Sequence, residues 1–368
     1  MSGAYQLWLY DPFGNNRKLI ERWVRLQYTR TANDVGALTL TMPAMLSPDL
    51  FAEDSRIWVM RSANNGPFIL ETETPWFVRY FRSYRQNGML LYEVRAVAAL
   101  EILARRIVTG AAGTAYAQKT AYADDMIKAI CRESMRGLVV DSARSLAAYM
   151  VIQVDKSQAP IITKDFSHAN VLQTCQEIAQ ASADHATIPT PLYFDMVQEG
   201  SLLRLRTYTG QRGNDHTAGA NRPAVVLSEE MGNLVDPSIE YDYSGEITYV
   251  YAGGQGTGDA QLQGNASDSV RIKYSPFNRR EAWVTSSATT VDSCNSEAAA
   301  ALRKGRPQIM FSGAIQSTKD TEYGVHWGWG DKLTISFAGK QLNVRVDTVT
   351  VTVEGQNEQI EARMKYSI

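Results

Sequence analysis

The side chains best suited to proton transfer or metal binding are four histidines, His168, His185, His216 and His326, since imidazole titrates near neutrality and ligates metals. A zinc site needs histidines one helical turn apart, or cysteines at short spacing. No histidine here has another at i+4, and Cys131, Cys175 and Cys294 are far apart, so no metal site is expected. His185 follows Asp184, but consecutive side chains rarely face one another. His168 follows Ser167, a good N-cap, and is expected to serve a helix start. Asp124 and Asp125 have the residue type of a glycosidase pair. Helix neighbours diverge by about 100°, so these two cannot jointly flank a scissile bond. Glu229 with Glu230, and Asp195 with Glu199, supply carboxylates that no motif singles out. A Gly-x-Ser-x-Gly elbow is absent, which removes one hydrolase signature. No catalytic, metal-binding or cofactor-binding residue is assigned, and no cofactor is expected.

Three motifs have a binding reading beside a plainer one. Gly253-Gly-Gln-Gly-Thr-Gly258 lacks the Gly-Lys-Ser/Thr that opens a phosphate-binding helix, and reads as a flexible strand connection. Phe77-Val-Arg-Tyr-Phe-Arg-Ser-Tyr-Arg85 interleaves rings with arginines, as a single-strand stacking platform would. As a strand, however, it puts Arg79 and Arg85 on one face and Arg82 on the other, so the basic stripe is broken. The turn Tyr323-Gly-Val-His-Trp-Gly-Trp-Gly-Asp331 sets two indoles between glycines. That suits either a packed corner of the fold or a contact between subunits.

The elements around that turn are the most legible in the chain. Leu333, Ile335 and Phe337 alternate with Thr334 and Ser336, the pattern of a half-buried strand. Gly339 suits a tight hairpin turn. On the return, Leu342, Val344 and Val346 alternate in one phase, and Val349, Val351 and Val353 in the other. A straight strand would turn one set to water. A β-bulge at Asp347-Thr348 instead bends the strand and lets it serve two sheets. The segment 341–353 would span roughly 40 Å if straight, long for one flat sheet, so it is expected to form the corner of a small antiparallel barrel.

Elsewhere, 1–98 reads as all-β. Short strands are separated by turn clusters, including Asn64-Asn65-Gly66 and Asn87-Gly88, both strong hairpin signals. Helical spacing predicts a helix over 98–108 through Leu100, Leu103 and Ile107. It predicts a second from Thr120, with Asp124 and Asp125 in its first turn, and a third after the Ser167 cap. Strands are expected near 149–154, 192–197 and 202–207. The polar stretch within 209–222 has almost no apolar side chains and reads as a boundary. Strands then resume over 224–227, 234–243, 246–252, 270–274 and 281–285. A helix from 292 or 293 to 304 ends at Gly305 as a left-handed stop, with Pro307 beyond, and a strand follows over 308–316. The fold class is therefore mainly β with some α: a first β-barrel over 1–98, a mixed α/β insert over 99–210, a linker over 211–223, and a second β-barrel with one helix over 224–368.

The 368 residues allow two or three domains. A composition of 44% hydrophobic and 21% charged residues is that of a globular protein, and a net charge of −2 gives no global field for nucleic acid or anionic membrane. No segment approaches the roughly 20 apolar residues of a membrane helix, and the N-terminus lacks the pattern of an export signal. Three widely spaced cysteines fit synthesis in a reducing cytoplasm.

Several motifs, taken in order, resemble the distal tail-hub and tail-associated proteins of long-tailed bacteriophages. They are Leu100 to Val108 with Leu103-Ala-Arg-Arg106, the helix Ala121 to Ile130, Gly232-Asn-Leu234 followed by Tyr249-Val-Tyr-Ala-Gly-Gly254, and Tyr323-Gly-Val325 with Gly330-Asp331. The resemblance implies two tube-like barrels per subunit and a homotrimer forming a pseudo-sixfold ring at the end of the tail tube. It implies no cofactor and no catalytic residues. The implied partners are other tail proteins: the distal tail or tube protein, the tape measure, and tip or fibre proteins. The implied location is the virion tail tip, with assembly in the host cytoplasm, and with neither sequence-specific nucleic-acid binding nor stable membrane insertion. The chain ends at Ile368, soon after the hairpin, so a fibre or lytic module is expected either on another polypeptide or not at all. The alternatives are a tail-associated cell-wall hydrolase, whose acids would lie in the insert, and a receptor- or glycan-binding tail module using exposed Trp and Tyr.

Overall fold

Alternation of apolar and polar residues sets most of the chain into strands, and the computed structural model describes residues 3–63, 65–108, 117–136, 142–166, 168–185, 187–286, 288–355 and 357–366. The N-terminal strands are β1 (Ala4–Tyr10), β2 (Lys18–Ile20), β3 (Arg25–Thr31), β4 (Ala37–Pro43), β5 (Arg56–Ser62), β6 (Ile69–Leu70), β7 (Trp76–Gln86) and β8 (Met89–Ala98). In β4, Leu38, Leu40 and Met42 are buried while the residues between them are partly exposed. Between β7 and β8, Asn87 and Gly88 take φ of 48° and 77°, the two positive values of a tight hairpin turn.

The middle of the chain holds α1 (Glu101–Ala104), β9 (Ala117–Tyr122), α2 (Ala123–Met135), β10 (Met150–Ile152), β11 (Ile161–Phe166), α3 (Val171–Ala183), β12 (Leu192–Glu199) and β13 (Leu202–Thr209). The helix expected over 98–108 is a single turn. Ala98 still belongs to β8, and Ile107 already bridges to Asn170, so Leu100 and Leu103 are buried but Ile107 is not. The second helix starts after the expected Thr120, which lies in β9. Ser167 lies outside the described residues; the third helix is capped by Asn170, whose side chain accepts from the Gln173 N–H. Its buried face, Val171, Leu172, Cys175, Ile178 and Ala179, meets Met126, Ile127, Ile130 and Cys131 of α2 in one apolar cluster.

The rest comprises β14 (Val226–Ser228), β15 (Leu234–Asp242), β16 (Tyr249–Gly253), β17 (Gln263–Ser267), α4 (Ser269–Tyr274), β18 (Glu281–Thr285), α5 (Val291–Lys304), β19 (Gln308–Ile315), β20 (Lys332–Phe337), β21 (Lys340–Glu354) and β22 (Asn357–Tyr366). A strand expected over 270–274 is helix α4 instead. Asp268 accepts from the Val270 and Arg271 N–H groups, an N-cap that favours the helical turn over extension.

The fold is mainly β with few helices. Strands from both ends of the chain share one 14-stranded sheet in the order β15-β19-β22-β21-β3-β4-β8-β7-β5-β1-β2, with β20 also beside β21, β14 beside β20, and β6 beside β5. Among the described residues this path is open, and no pairing closes the strands of 1–98 or 224–368 on themselves as barrels. The join is β21, and it has the expected bulge. Its register with β22 shifts between Val346 and Thr348. Before the shift, Lys340–Arg345 pairs with β20; after it, Thr348–Glu354 pairs with β3. The extra residue puts Val344 and Val346 on the buried side together with Val349, Val351 and Val353, although the two sets are out of phase in the sequence.

Two compact units emerge: Met1–Ser238 with Phe311–Ile368, and Ile239–Met310. In the second, the sheet order is β17-β16-β18. Val250, Ala252, Cys294, Ala298 and Leu302 form a core between that sheet and α5. Thr290 caps α5 by accepting from the Ser293 N–H, and Gly305 ends it with φ −87°. The left-handed stop expected there is absent. Gly305 is required for another reason: a Cβ at this position would sit 2.6 Å from Cβ of Ile247. Gly305→Ala is therefore expected to destabilise this unit by about 1–3 kcal/mol. Removing the clashing Cβ in Gly305→Ala/Ile247→Gly should relieve part of that loss. Chemical unfolding of the four proteins of this cycle measures the coupling, and purely additive losses would refute the steric account.

Candidate functional site: a polar corner around the tryptophan turn

The residues singled out in the sequence are spent on local structure. Asp124 and Asp125 do come together, but around a cation. Buried Lys128 reaches both, at 3.4 and 2.9 Å. Asp124 also accepts from the N–H groups of Gln158 and Ala159, and Asp125 from those of Lys156 and Ser157. Bonds from Lys128 and this loop outweigh the effect of burial and keep the Asp125 carboxyl below the usual range. His185 Nδ1 accepts from the Ile188 N–H, and His326 Nδ1 from the Glu322 N–H. Asp195 is bound by Arg206 and Arg212, and Glu199 pairs with Arg204. In β7, Arg79 pairs with Glu53 and Asp54, and the bulge between Val78 and Tyr80 interrupts the expected alternation. Among the described residues, no group of three His, Cys, Asp or Glu could hold a metal ion. Cys131 and Cys175, distant in sequence, meet in the apolar cluster of α2 and α3, and the contact with Cys131, together with burial, pushes the Cys175 thiol up.

The tryptophan turn is a packed corner. Trp327 is only 2% exposed, and its Nε1 donates to the Thr321 carbonyl at 2.9 Å. The Tyr323 ring packs on it with centroids 5.0 Å apart. Asp331 accepts from the Gly328 and Asn214 N–H groups at 2.7 and 2.6 Å. Burial is the larger influence on Asp331 and raises its carboxyl despite these bonds. His216 donates from Nδ1 to the Pro223 carbonyl and sets Nε2 3.7 Å from Asp331. The stretch expected to be a linker, 211–223, thus bonds to this corner, with the His216 N–H also donating to the Lys332 carbonyl.

Beneath the turn lies a polar cluster that the sequence did not reveal. Arg61 of β5 is 2% exposed. Its Nε donates to Glu358 Oε1 of β22 at 3.0 Å and to the Tyr5 hydroxyl of β1 at 3.0 Å. Its Nη1 donates to the Tyr323 carbonyl at 2.9 Å. Glu358 also accepts from the Tyr5 hydroxyl and from the Gly3 N–H. Burial works to raise the Glu358 carboxyl, but Arg61, Tyr5 and Gly3 together hold it below its usual value. Glu71 is shifted the other way: its burial outweighs the Arg61 charge and raises it. Gly3 and Gly324 approach the guanidinium so closely that a Cβ on either would lie 2.6 Å from it.

A second cluster ties the same turn to β12, β13 and the segment after them. Arg30 of β3 stacks over Trp329, its guanidinium carbon 4.0 Å from the ring centroid, and Arg212 covers Tyr208 at 3.9 Å. Arg206 and Arg212 clamp Asp195, and Arg206 also reaches Glu73 at 2.9 Å. Trp329 Nε1 donates to the carbonyl of Asp347, the bulge residue, at 3.0 Å, and the Ala32 N–H donates to that same carbonyl. The bulge thereby frees one acceptor to hold both the turn and the end of β3. Charges in this corner are met by opposite charges, rings or backbone groups. The arrangement fastens distant segments to one another.

The Siphovirus ReqiPepy6 Gp37-like family profile matches residues 6–364. No curated protein sequence matches the chain. The fold is similar to that of the 43 kDa tail protein of prophage MuSo2 from Shewanella oneidensis, with TM-score 0.61 and 9% identity over 98% of each chain. It is also similar to a tail protein from Neisseria meningitidis, with TM-score 0.60 and 12% identity over 99% of this chain and 97% of that one. Prophage tail protein gp18 from Listeria monocytogenes follows, with TM-score 0.54 and 9% identity over 98% and 94%. The resemblance to bacteriophage tail proteins read from the sequence is thus borne out in family and fold: this chain belongs to the Siphovirus ReqiPepy6 Gp37-like family.

Proposed function

We propose that this phage tail protein is a non-enzymatic hub at the tail tip. Three copies form a pseudo-sixfold collar that closes the tail tube and anchors tip or fibre proteins. The observation that carries the proposal is the open 14-stranded sheet, which welds strands from both ends of the chain at β21 and leaves its end strands β2 and β15 with one strand neighbour each among the described residues. Unpaired edges are sticky, and a closed ring of identical subunits hides them. In this reading the strands within 1–98 and 224–368 are the two tube-forming modules, closed in the assembly by neighbouring copies. The segment 99–210 is an insert carried on them. The clusters around Arg61 and Trp329 suit a part that bears force, because they bind distant segments through many simultaneous polar contacts. Partners are the tube or distal tail protein, the tape measure and the tip proteins, joined in the host cytoplasm and carried in the virion.

Mass measurement of the purified chain tests the reading. The expected result is a species of three times the 40.9 kDa protomer mass, with threefold symmetry in images of tail tips. A monomer at every concentration, missing from tail particles, would refute it.

A further inference from the structure

The unit Ile239–Met310 has a sheet with one covered face and one open face. Pairing in β17-β16-β18 sets Ala266, Val250 and Ala282 in one row and Gly264, Ala252 and Val284 in the next; these face α5. The opposite rows place Ser267, Tyr249 and Glu281 side by side, then Asn265, Tyr251 and Trp283. Trp283 is 53% exposed, a large apolar area left in water. It lies across the bare backbone of Gly253, where even a Cβ would collide with the indole. Tyr249 and Tyr251 sit with ring centroids 4.6 Å apart. Arg279 fixes them, its guanidinium 4.1 Å from the Tyr249 centroid and its Nη2 donating to the Tyr251 hydroxyl at 3.2 Å. The rings are therefore held in place, and a ligand that stacks on them immobilises little more.

Charge narrows the choice of ligand. Arg279 is neutralised by Glu281 at 2.6 Å. Residues 239–310 contain eight Asp or Glu against seven Lys or Arg, so the unit offers no basic field for a phosphate backbone. What remains is the exposed Trp283 ring beside the two tyrosines, whose rings are tilted by 46° to each other, bordered by amides and hydroxyls such as Asn265 and Ser267. That chemistry matches a molecule with apolar ring faces and a rim of hydroxyl groups. We infer that this face binds a neutral oligosaccharide, stacked on Trp283 and Tyr251 and hydrogen-bonded to the polar side chains that flank them. The inference goes beyond the hub reading and does not depend on it.

The test titrates the full chain with neutral oligosaccharides of glucose, galactose, rhamnose and N-acetylglucosamine, followed by tryptophan fluorescence and ligand-observed NMR. Saturable binding of at least one is expected. Trp283→Ala and Tyr251→Ala should each weaken it by about tenfold, the scale of one aromatic contact, while oligomer mass stays unchanged. Phe277→Ala, exposed in the same unit but outside the three strands that form this face, should bind as the parent does. Three results would each overturn the inference: no saturable binding of any sugar, binding that survives both substitutions, or an oligomer that falls apart on Trp283→Ala and so marks the face as a protein contact.

Discussion

Arg61→Met is expected to lower the unfolding free energy by about 3–5 kcal/mol, the cost of stranding buried charge. The side chains of Arg61 and Glu358 are 2% and 3% exposed, so water cannot replace the lost partner. Without the guanidinium, Glu358 keeps only the Tyr5 hydroxyl and the Gly3 N–H, and Glu71 loses the charge that opposes its burial. The effect should depend on pH with a definite sign. In the parent, the Glu358 carboxyl is held below its unfolded value. Its contribution is present above the unfolded pKa and fades as pH falls through the folded one. Glu71, raised by burial, works oppositely: it favours the fold at low pH, and that contribution is lost as pH rises through its folded pKa. Removing Arg61 pushes both carboxyls upward, so the deficit of the variant should shrink as acid protonates them. Arg61→Met/Glu358→Gln should recover much of the loss, because it leaves one charge fewer in the core. Urea unfolding at neutral and acidic pH measures all of this. A deficit below about 1 kcal/mol, the range of surface pairs, would show that the cluster is not holding the sheet.

What the sequence disclosed follows from the range over which each signal acts. The β20–β21 hairpin, the Asn87-Gly88 turn and helix α5 announce themselves because spacing and turn residues act within a few positions. The bulge in β21 was legible for the same reason, as a slip in phase between Val346 and Val349. Helix α4 was misread because a run such as Val270 to Tyr274 has no buried face to set its period, leaving the decision to the Asp268 cap. The Gly305 stop was foreseen with the wrong cause, since its constraint comes from Ile247, remote in sequence. The Arg61 cluster was out of reach altogether. Tyr5 and Glu358 are separated by 353 residues, and no local pattern marks two residues as neighbours when only the tertiary fold brings them together. Tyr323, noted in the sequence as part of a turn, contributes to that cluster through its carbonyl, which residue type does not reveal.

Deleting Asp347 is expected to abolish the native fold of the larger unit, whereas Asp347→Ala is expected to leave it folded. The deletion removes the extra residue that lets Val344 and Val346 share a face with Val349, Val351 and Val353. With an unbroken ladder, one set must turn to water. At about 1.5–3 kcal/mol for each buried side chain, exposing the later three forfeits roughly 5–9 kcal/mol, comparable to the whole stability of a domain. The bonds from Trp329 and Ala32 to the bulge carbonyl would go with it, and so would the pairing that passes β21 from β20 to β3. The substitution keeps the carbonyl and the residue count. It loses only the carboxylate, which meets Arg345 at 3.0 Å and the half-exposed Lys365 at 3.2 Å, and should cost about 1–2 kcal/mol. Soluble yield, near-ultraviolet circular dichroism and thermal melting separate the two variants. If the deletion melted cooperatively near the parent temperature, the corner would be dispensable and the sheet would have another way to join its two halves. If the substitution were as harmful as the deletion, the carboxylate and not the backbone count would be what bends the strand. A strand that joins two halves of one continuous sheet can tolerate a weakened ion pair at its bend but cannot tolerate losing the bend.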